Sequence, residues 1–250
     1  MRSRWCGAVT AASARNPASA RPAASVIAPL LASPRASPPV SPVQVLTHGR
    51  LRQAVTALSA SDPFLARVAE RWGTPPLWAR RPGFPTLVRI ILEQQVSLAS
   101  AATVYTRLVG HAGGMTPHAI AALGVHGLRE FGLTRQKSAF CHGLAERVLD
   151  GSLNLSAVSR APASEGRAML LAVPGLGPWS VDIYFLMALR RPDVWPQGDL
   201  ALAVTLRDGL GLAGNPSREE QRGIAERWRP WRSTAARMVW AEYLGVRGRL

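Results

Sequence analysis

Two apolar stretches flank a four-residue turn in LLAVPGLGPWSVDIYFLMAL, where Pro174-Gly175-Leu176-Gly177 interrupts what otherwise reads as helix. Glycine tolerates positive φ and leaves no side chain between backbone and ligand. The amides of such a turn, with the N-terminus of the following helix, converge on one spot of partial positive charge, which suits a phosphate. Read alone, the same turn also serves as a plain helix–helix connection. Asp199, in VWPQGDLAL, lies 22 residues past Gly177 on a short loop between two apolar segments. A carboxylate there caps a helix starting at Leu200. Beside a phosphate-gripping turn it can also stabilise positive charge developing on a deoxyribose, or orient an attacking water. Trp228, Trp231 and Trp240 crowd the segment AERWRPWRSTAARMVW. They read either as core or as walls of a pocket that stacks a flipped base, and an aromatic wall attracts a cationic alkylated purine. Gln95, four residues after Ile91, puts an amide on an apolar stripe. It is either a member of a buried network or a plug for the gap left by an extruded nucleotide.

These residues need rigid elements behind them, and the pattern for those is helical from about residue 48 onward. Ser61-Asp62-Pro63 opens a helix running to Gly73, with proline near the first turn. Phe84, Leu87, Val88, Ile91 and Leu98 recur with helical period. Thr116-Pro117 starts another helix, ended near Gly124, and Leu128 to Val148 reads as one or two helices around Gly132. A helix over Glu165 to Val173 precedes the turn, and a second apolar one runs from about Pro178 to Leu189. Ser217-Arg218-Glu219-Glu220 is a capping box ahead of a long final helical region. No alternating strand pattern is present, so the fold class is all-α.

Composition narrows the partner. The formal net charge is +15, and Lys137 is the only lysine, so arginine carries nearly all of the basic character. A field of that sign attracts nucleic acid first and anionic membrane second. No apolar run reaches the roughly 18–20 residues of a spanning helix, which reduces the membrane to surface contact. Cys6 and Cys141 are far apart and cannot supply the four thiolates of an iron–sulfur cluster, nor a zinc spacing. The histidines fall in no HExxH pattern, so no metal site built from side chains is expected. Asp62 is the first acidic residue. The Ala-, Ser-, Pro- and Arg-rich leader before it, residues 1–46, reads as disordered. Its composition fits an organelle transit peptide, a basic tail adding DNA affinity, or an overlong gene start.

Taken together, the hairpin VPGLGPWS, an Asp at this distance and the stretch AERWRPWRS resemble the helix-hairpin-helix (HhH-GPD) DNA glycosylase superfamily. Within it they are most similar to the 3-methyladenine DNA glycosylase II, or AlkA-like, branch. The resemblance runs from about Asp62 to the C-terminus. It implies two helical subdomains around a cleft within a domain spanning 47–250: 47–83 plus 196–250, and 84–195. It puts the catalytic carboxylate at Asp199, base-pocket tryptophans at Trp179 and Trp240, the duplex wedge at Gln95, and phosphate-binding amides at Gly175 and Gly177. A structural monovalent cation on the hairpin would use the carbonyls of Leu171, Val173 and Leu176; no cofactor is otherwise required. Members with lyase activity carry a lysine at the end of the hairpin; Trp179 stands there, so simple hydrolysis of the N-glycosidic bond in alkylated purines is expected, leaving an abasic site. The implied partner is double-stranded DNA containing damaged bases, met by a monomer without an obligate protein partner or a membrane. The expected location is the cytoplasm, nucleoid-associated in a bacterium, with organelle targeting by the leader left open. The β-rich N-terminal domain that AlkA-like enzymes can carry is expected to be absent. Two alternatives remain: a glycosylase for another damaged or mismatched base, and a non-catalytic helix-hairpin-helix DNA-binding module, which needs the hairpin but neither Asp199 nor the tryptophans.

Overall fold

Side-chain caps decide where most of the helices begin. The computed structural model describes residues 45–250, and within them the chain is all-α. Helix α1 (His48–Ser61) starts at Thr47, whose hydroxyl accepts from the Arg50 amide. Asp62 closes α1 and opens α2 (Pro63–Trp72), its carboxylate accepting from the amides of Phe64 and Leu65. Pro63 occupies the first helical position, where a missing N–H leaves nothing unpaired. Helices α3 (Phe84–Glu93) and α4 (Leu98–Ala112) follow. Thr116 caps α5 (Pro117–Glu130), which breaks at Gly124, and Thr134 caps α6 (Arg135–Leu149). The short α7 (Leu155–Arg160) and α8 (Ala163–Leu171) lead to the Pro174–Gly177 turn. Beyond it, α9 (Pro178–Ile183) widens into a π-helical turn at Tyr184–Ala188. Asp199 caps α10 (Leu200–Leu210), and the capping box forms as the sequence predicts, with Ser217 and Glu220 bonded reciprocally at the start of α11 (Arg218–Glu226). The chain ends in α12 (Arg232–Gly245).

The principal packing falls into two groups: α1, α2, α10, α11 and α12 on one another, and α3 to α9 on one another. Buried side chains of both groups join in one continuous core. Helix α12 is the axis of the first group, with every residue from Ser233 to Ala241 buried. A helix apolar on one stripe only could not sit there, and the small residues Ser233, Thr234, Ala235 and Ala236 let its neighbours approach closely. The one large polar group it buries is Arg237. Its guanidinium donates to the carbonyls of Leu77 (2.8 Å), Ser233 (2.8 Å) and Leu186 (2.8 Å). Burial pulls its pKa down to about 9, still on the charged side of neutrality. Arg237 therefore ties α12 to the 74–83 loop and to the π-helical turn, so it spans both groups.

Two sequence expectations change. The leader boundary moves, because Leu46 is fully buried with Leu51 and Leu77, and its amide donates to Arg190 O at 2.7 Å. Residues 1–44, where the disordered leader was expected, lie outside the described residues. The apolar stripe ends before Leu98, which is 66% exposed. The chain leaves helical geometry at Gln94 (ψ 126°) and Gln95 (φ 56°), and this resets the helical phase. Asp193 binds Arg229 and Arg232 and anchors the start of α12. Asp208 is exposed and pairs with its neighbour Arg207.

Candidate active site

The hairpin is built by two glycines with different duties. Gly175 has φ 89°, and a Cβ there would lie 2.3 Å from the Phe140 ring, so any side chain would both strain the backbone and collide with α6. Gly177 needs no special conformation (φ −77°, ψ 176°) and has open space around it. The expectation of positive φ therefore applies to Gly175 alone; Gly177 contributes by leaving the start of α9 uncovered. The amides of Gly175 and Gly177 make no hydrogen bond within the described residues, as the start of a helix requires if it is to bind an anion. On the far side of the turn, Val173 O accepts from the Leu176 amide, while Leu171 O and Leu176 O accept nothing from the described residues.

Asp199 sits where the two helix groups meet. Its Oδ1 accepts from the Leu202 amide at 3.1 Å, the N-cap bond of α10, and from Trp240 Nε1 at 3.2 Å. Its Oδ2 accepts from Trp179 Nε1 at 3.0 Å. One indole comes from α9, directly after the hairpin, and the other from α12. The carboxylate is half-buried, and Oδ2 keeps lone-pair capacity beyond its single bond. The capping and functional readings of Asp199 are thus compatible: one oxygen caps the helix while the other faces an indole. Gly198, at φ 76° just before it, turns the chain so that the cap can form.

The loop before Asp199 is held by Asp182. Fully buried, this carboxylate pairs with Arg167 of α8 and accepts from the Gln197 amide at 3.2 Å. Burial pushes its carboxyl pKa up, against the opposing pull of Arg167. Asp182 thus has a structural role, fixing the loop that carries Asp199.

Among the residues singled out from sequence, Asp199, Trp179 and Trp240 are in direct contact. Gln95 is exposed on the α3–α4 loop, so it joins no buried network. That network belongs to its neighbour Gln94, whose Nε2 donates to Gly175 O (2.8 Å) and to Ser180 Oγ (2.9 Å). Trp228 is fully buried and donates to Asp62 at 2.7 Å, and Trp231 packs on the Leu46 cluster, so both are structural. Sequence reading missed two residues. Gln94 could have been found, since it directly precedes Gln95 at the same helix end. Trp78 could not: it stands edge-to-face on Trp240 (centroids 6.3 Å, 73°) in a left-handed backbone conformation, φ 45°. Such a φ on a bulky residue is uncommon and persists only where the surroundings impose it. Here Arg237 grips the adjacent Leu77 carbonyl, and Arg80 N donates to Met187 O. Among the described residues, no cluster of His, Cys, Asp or Glu is arranged to hold a metal ion, and no helix is long and apolar enough to cross a membrane.

Residues 88–230 match the family model described as HhH-GPD superfamily base excision DNA repair protein. DNA-3-methyladenine glycosylase 2 of Escherichia coli (strain K12) is 29% identical over 186 residues, covering 66% of this chain and 62% of that one. The chain likewise spans only part of other relatives: 66% of the YfjP protein of Bacillus subtilis (strain 168) and 32% of an AlkA-named protein of Mycobacterium tuberculosis. Among solved structures, the DNA-3-methyladenine glycosidase of Bacillus halodurans superposes with a TM-score of 0.67 at 24% identity, over 78% of this chain and 91% of that one. The Schizosaccharomyces pombe 3-methyladenine DNA glycosylase, in complex with abasic DNA, gives 0.66 at 23% identity, over 75% and 95%. The Clostridium acetobutylicum 8-oxoguanine glycosylase/lyase shares the fold as well, with a TM-score of 0.67 at 16% identity, over 81% and 71%. A hairpin with bare amides, a carboxylate held between two indoles and a family match across more than half the chain agree: the protein belongs to the HhH-GPD superfamily of base excision DNA repair proteins.

Proposed function

We propose that the chain is a monofunctional DNA glycosylase of the AlkA-like type, hydrolysing the N-glycosidic bond of alkylated purines in duplex DNA. The observation that carries this is the Asp199 carboxylate, fixed by Trp179, Trp240 and the Leu202 amide next to the hairpin. Arginines and the Gly175–Gly177 amides take the DNA backbone without regard to sequence. The damaged nucleotide leaves the stack, and Gln95, exposed on its loop, fills the gap. The base enters beside Trp179, Trp240 and Trp78, whose faces favour a cationic purine. As the bond to the base breaks, positive charge grows on the sugar, and the fixed Asp199 anion stabilises it without reorganising. The free lone pair on Oδ2 can orient the attacking water. Free base and an abasic site result.

Hydrolysis without strand cleavage is supported by the lysine inventory. Trp179 occupies the end of the hairpin, and the only lysine, Lys137, is engaged elsewhere, with Nζ at 2.7 Å from both Leu92 O and Gln94 O. Borohydride is therefore expected to trap no covalent complex with abasic DNA; a trapped adduct would overturn this point. The carbonyls of Leu171, Val173 and Leu176, at the negative end of α8, retain acceptor capacity and would suit a monovalent cation that supports the hairpin.

The decisive experiment is base release from methylated duplex DNA by the wild type and Asp199→Asn. Asparagine keeps the cap and one indole contact, so the variant is expected to fold and bind DNA. Its release rate is expected to fall by about a hundredfold or more. A folded, DNA-binding wild type that releases no methylpurine would instead favour another lesion, or the binding-module alternative.

A further inference from the structure

Lys137 occupies a position that its charge alone would not favour. It lies in the first turn of α6, where the helix dipole disfavours a cation. Its ammonium reaches across to α3 and donates at 2.7 Å to Leu92 O and at 2.7 Å to Gln94 O. These are carbonyls at the end of α3, the groups a helix leaves unpaired, and a cation there matches the negative end of that dipole. Directly after them the chain adopts left-handed geometry at Gln95, φ 56°, which a side chain other than glycine seldom holds unaided. Gln94 supplies the second anchor. Both protons of its side-chain amide are used, toward Gly175 O at 2.8 Å and Ser180 Oγ at 2.9 Å. What lies beyond these anchors is uncovered: Gln95 is exposed, Val96 is 46% exposed and Leu98 is 66% exposed.

We propose that Lys137 is a positioning residue for DNA insertion. It holds the Gln95–Val96 turn in its strained form and, through Gln94, at a fixed offset from the hairpin. Gripping the phosphate and wedging the duplex then occur as one rigid-body step, with no loop to order on binding. The exposed Val96 gives the turn an apolar edge beside the polar Gln95, suited to an opened base step. The inference rests on reading the chain as an enzyme that extrudes a base. It assigns the sole lysine a duty distinct from the chemistry at Asp199. Burial lowers the lysine's pKa, and the neighbouring Cys141 thiol, pushed up to about 12 by burial, does not offer it a negative partner near neutrality. The two carbonyls are its partners.

A test must separate insertion from plain stability. Base release is measured under single turnover on a methylated duplex and on the same methylated strand without its complement, where no stack needs to be filled. Lys137→Met, which breaks the lysine anchor, is expected to slow the duplex reaction at least tenfold while single-strand release stays within twofold of wild type. Lys137→Arg, which can still bridge two carbonyls, should recover most of the duplex rate. Equal losses on both substrates, or no loss on the duplex with Lys137→Met, would overturn the proposal. Insertion is also read without catalysis, from the fluorescence of 2-aminopurine opposite a stable abasic analogue in a duplex. Wild type should change that signal and Lys137→Met should not; an unaltered response in the variant counts against the proposal. If the wild type releases no base from either substrate but the fluorescence contrast holds, the glycosylase reading fails and the positioning role stands.

Discussion

Asp199 accepts three hydrogen bonds from donors on three different helices, so its orientation is set by the packing of α9 and α12 as much as by its own loop. This makes the indole nitrogens more than incidental. Trp179→Phe keeps an aromatic ring against any bound base but removes the donor to Oδ2. A hydrogen bond to a charged group is worth about 1.5–3 kcal/mol, so base release is expected to drop about 10- to 100-fold. Methylated-duplex affinity should change little. A drop in affinity with no change in single-turnover rate would mean that Trp179 acts only as a wall.

At the scale of elements, the 74–83 loop has no regular structure of its own, and its shape is imposed from outside. Arg237 takes the Leu77 carbonyl, the Glu93 carboxylate takes Arg80 in a bidentate pair (2.8 and 3.0 Å), and the Gly83 amide donates to the Tyr184 hydroxyl at 3.0 Å. Trp78 is delivered to Trp240 as a result. Arg237→Met retains much of the volume but takes the guanidinium donor from the buried Leu77 and Leu186 carbonyls, while Ser233 O keeps its helical partner. At about 1–3 kcal/mol for each unsatisfied group, partly offset by relaxation, a loss of about 3 kcal/mol is expected. For a domain of this size that lowers Tm by about 6–12 °C, which thermal unfolding followed by circular dichroism would show. An unchanged Tm would mean that water satisfies these carbonyls.

The whole molecule carries a net charge of +15, and the segment 1–44 contains Arg2, Arg4, Arg15, Arg21 and Arg35 with no acidic residue. Each phosphate neutralised adds about 0.9 to the slope of log affinity against log salt. Deleting residues 1–44 is expected to flatten that slope, because up to five phosphate contacts are removed. The single-turnover rate at saturating enzyme should stay within about twofold, since these charges add affinity and not chemistry. Titrations at several salt concentrations would show it. An unchanged slope would mean that the leader arginines do not touch the DNA.

The sequence by itself determined what local rules govern. Asp62-Pro63, Thr116-Pro117 and the Ser217–Glu220 box each satisfy orphan amides within a turn of chain, so those helix starts are legible one by one. The glycine turn, the carboxylate 22 residues beyond it and the arginine-dominated charge pointed to the hairpin, to Asp199 and to DNA for the same reason: their meaning lies in residue type and spacing. Tertiary structure decided the rest. Which glutamine bonds to the hairpin and which is presented to solvent depends on where α3 stops, and a lysine 43 residues later in the chain caps that end. That Trp78 faces Trp240 depends on a buried arginine 160 residues beyond the loop it holds. Trp179 and Trp240 were identified, but their bonds to Asp199 appear only when α9 and α12 meet around it. Long-range contacts of this kind leave no periodic or nearest-neighbour trace in a sequence, because the groups that satisfy them come from distant elements brought together only by burial of the core.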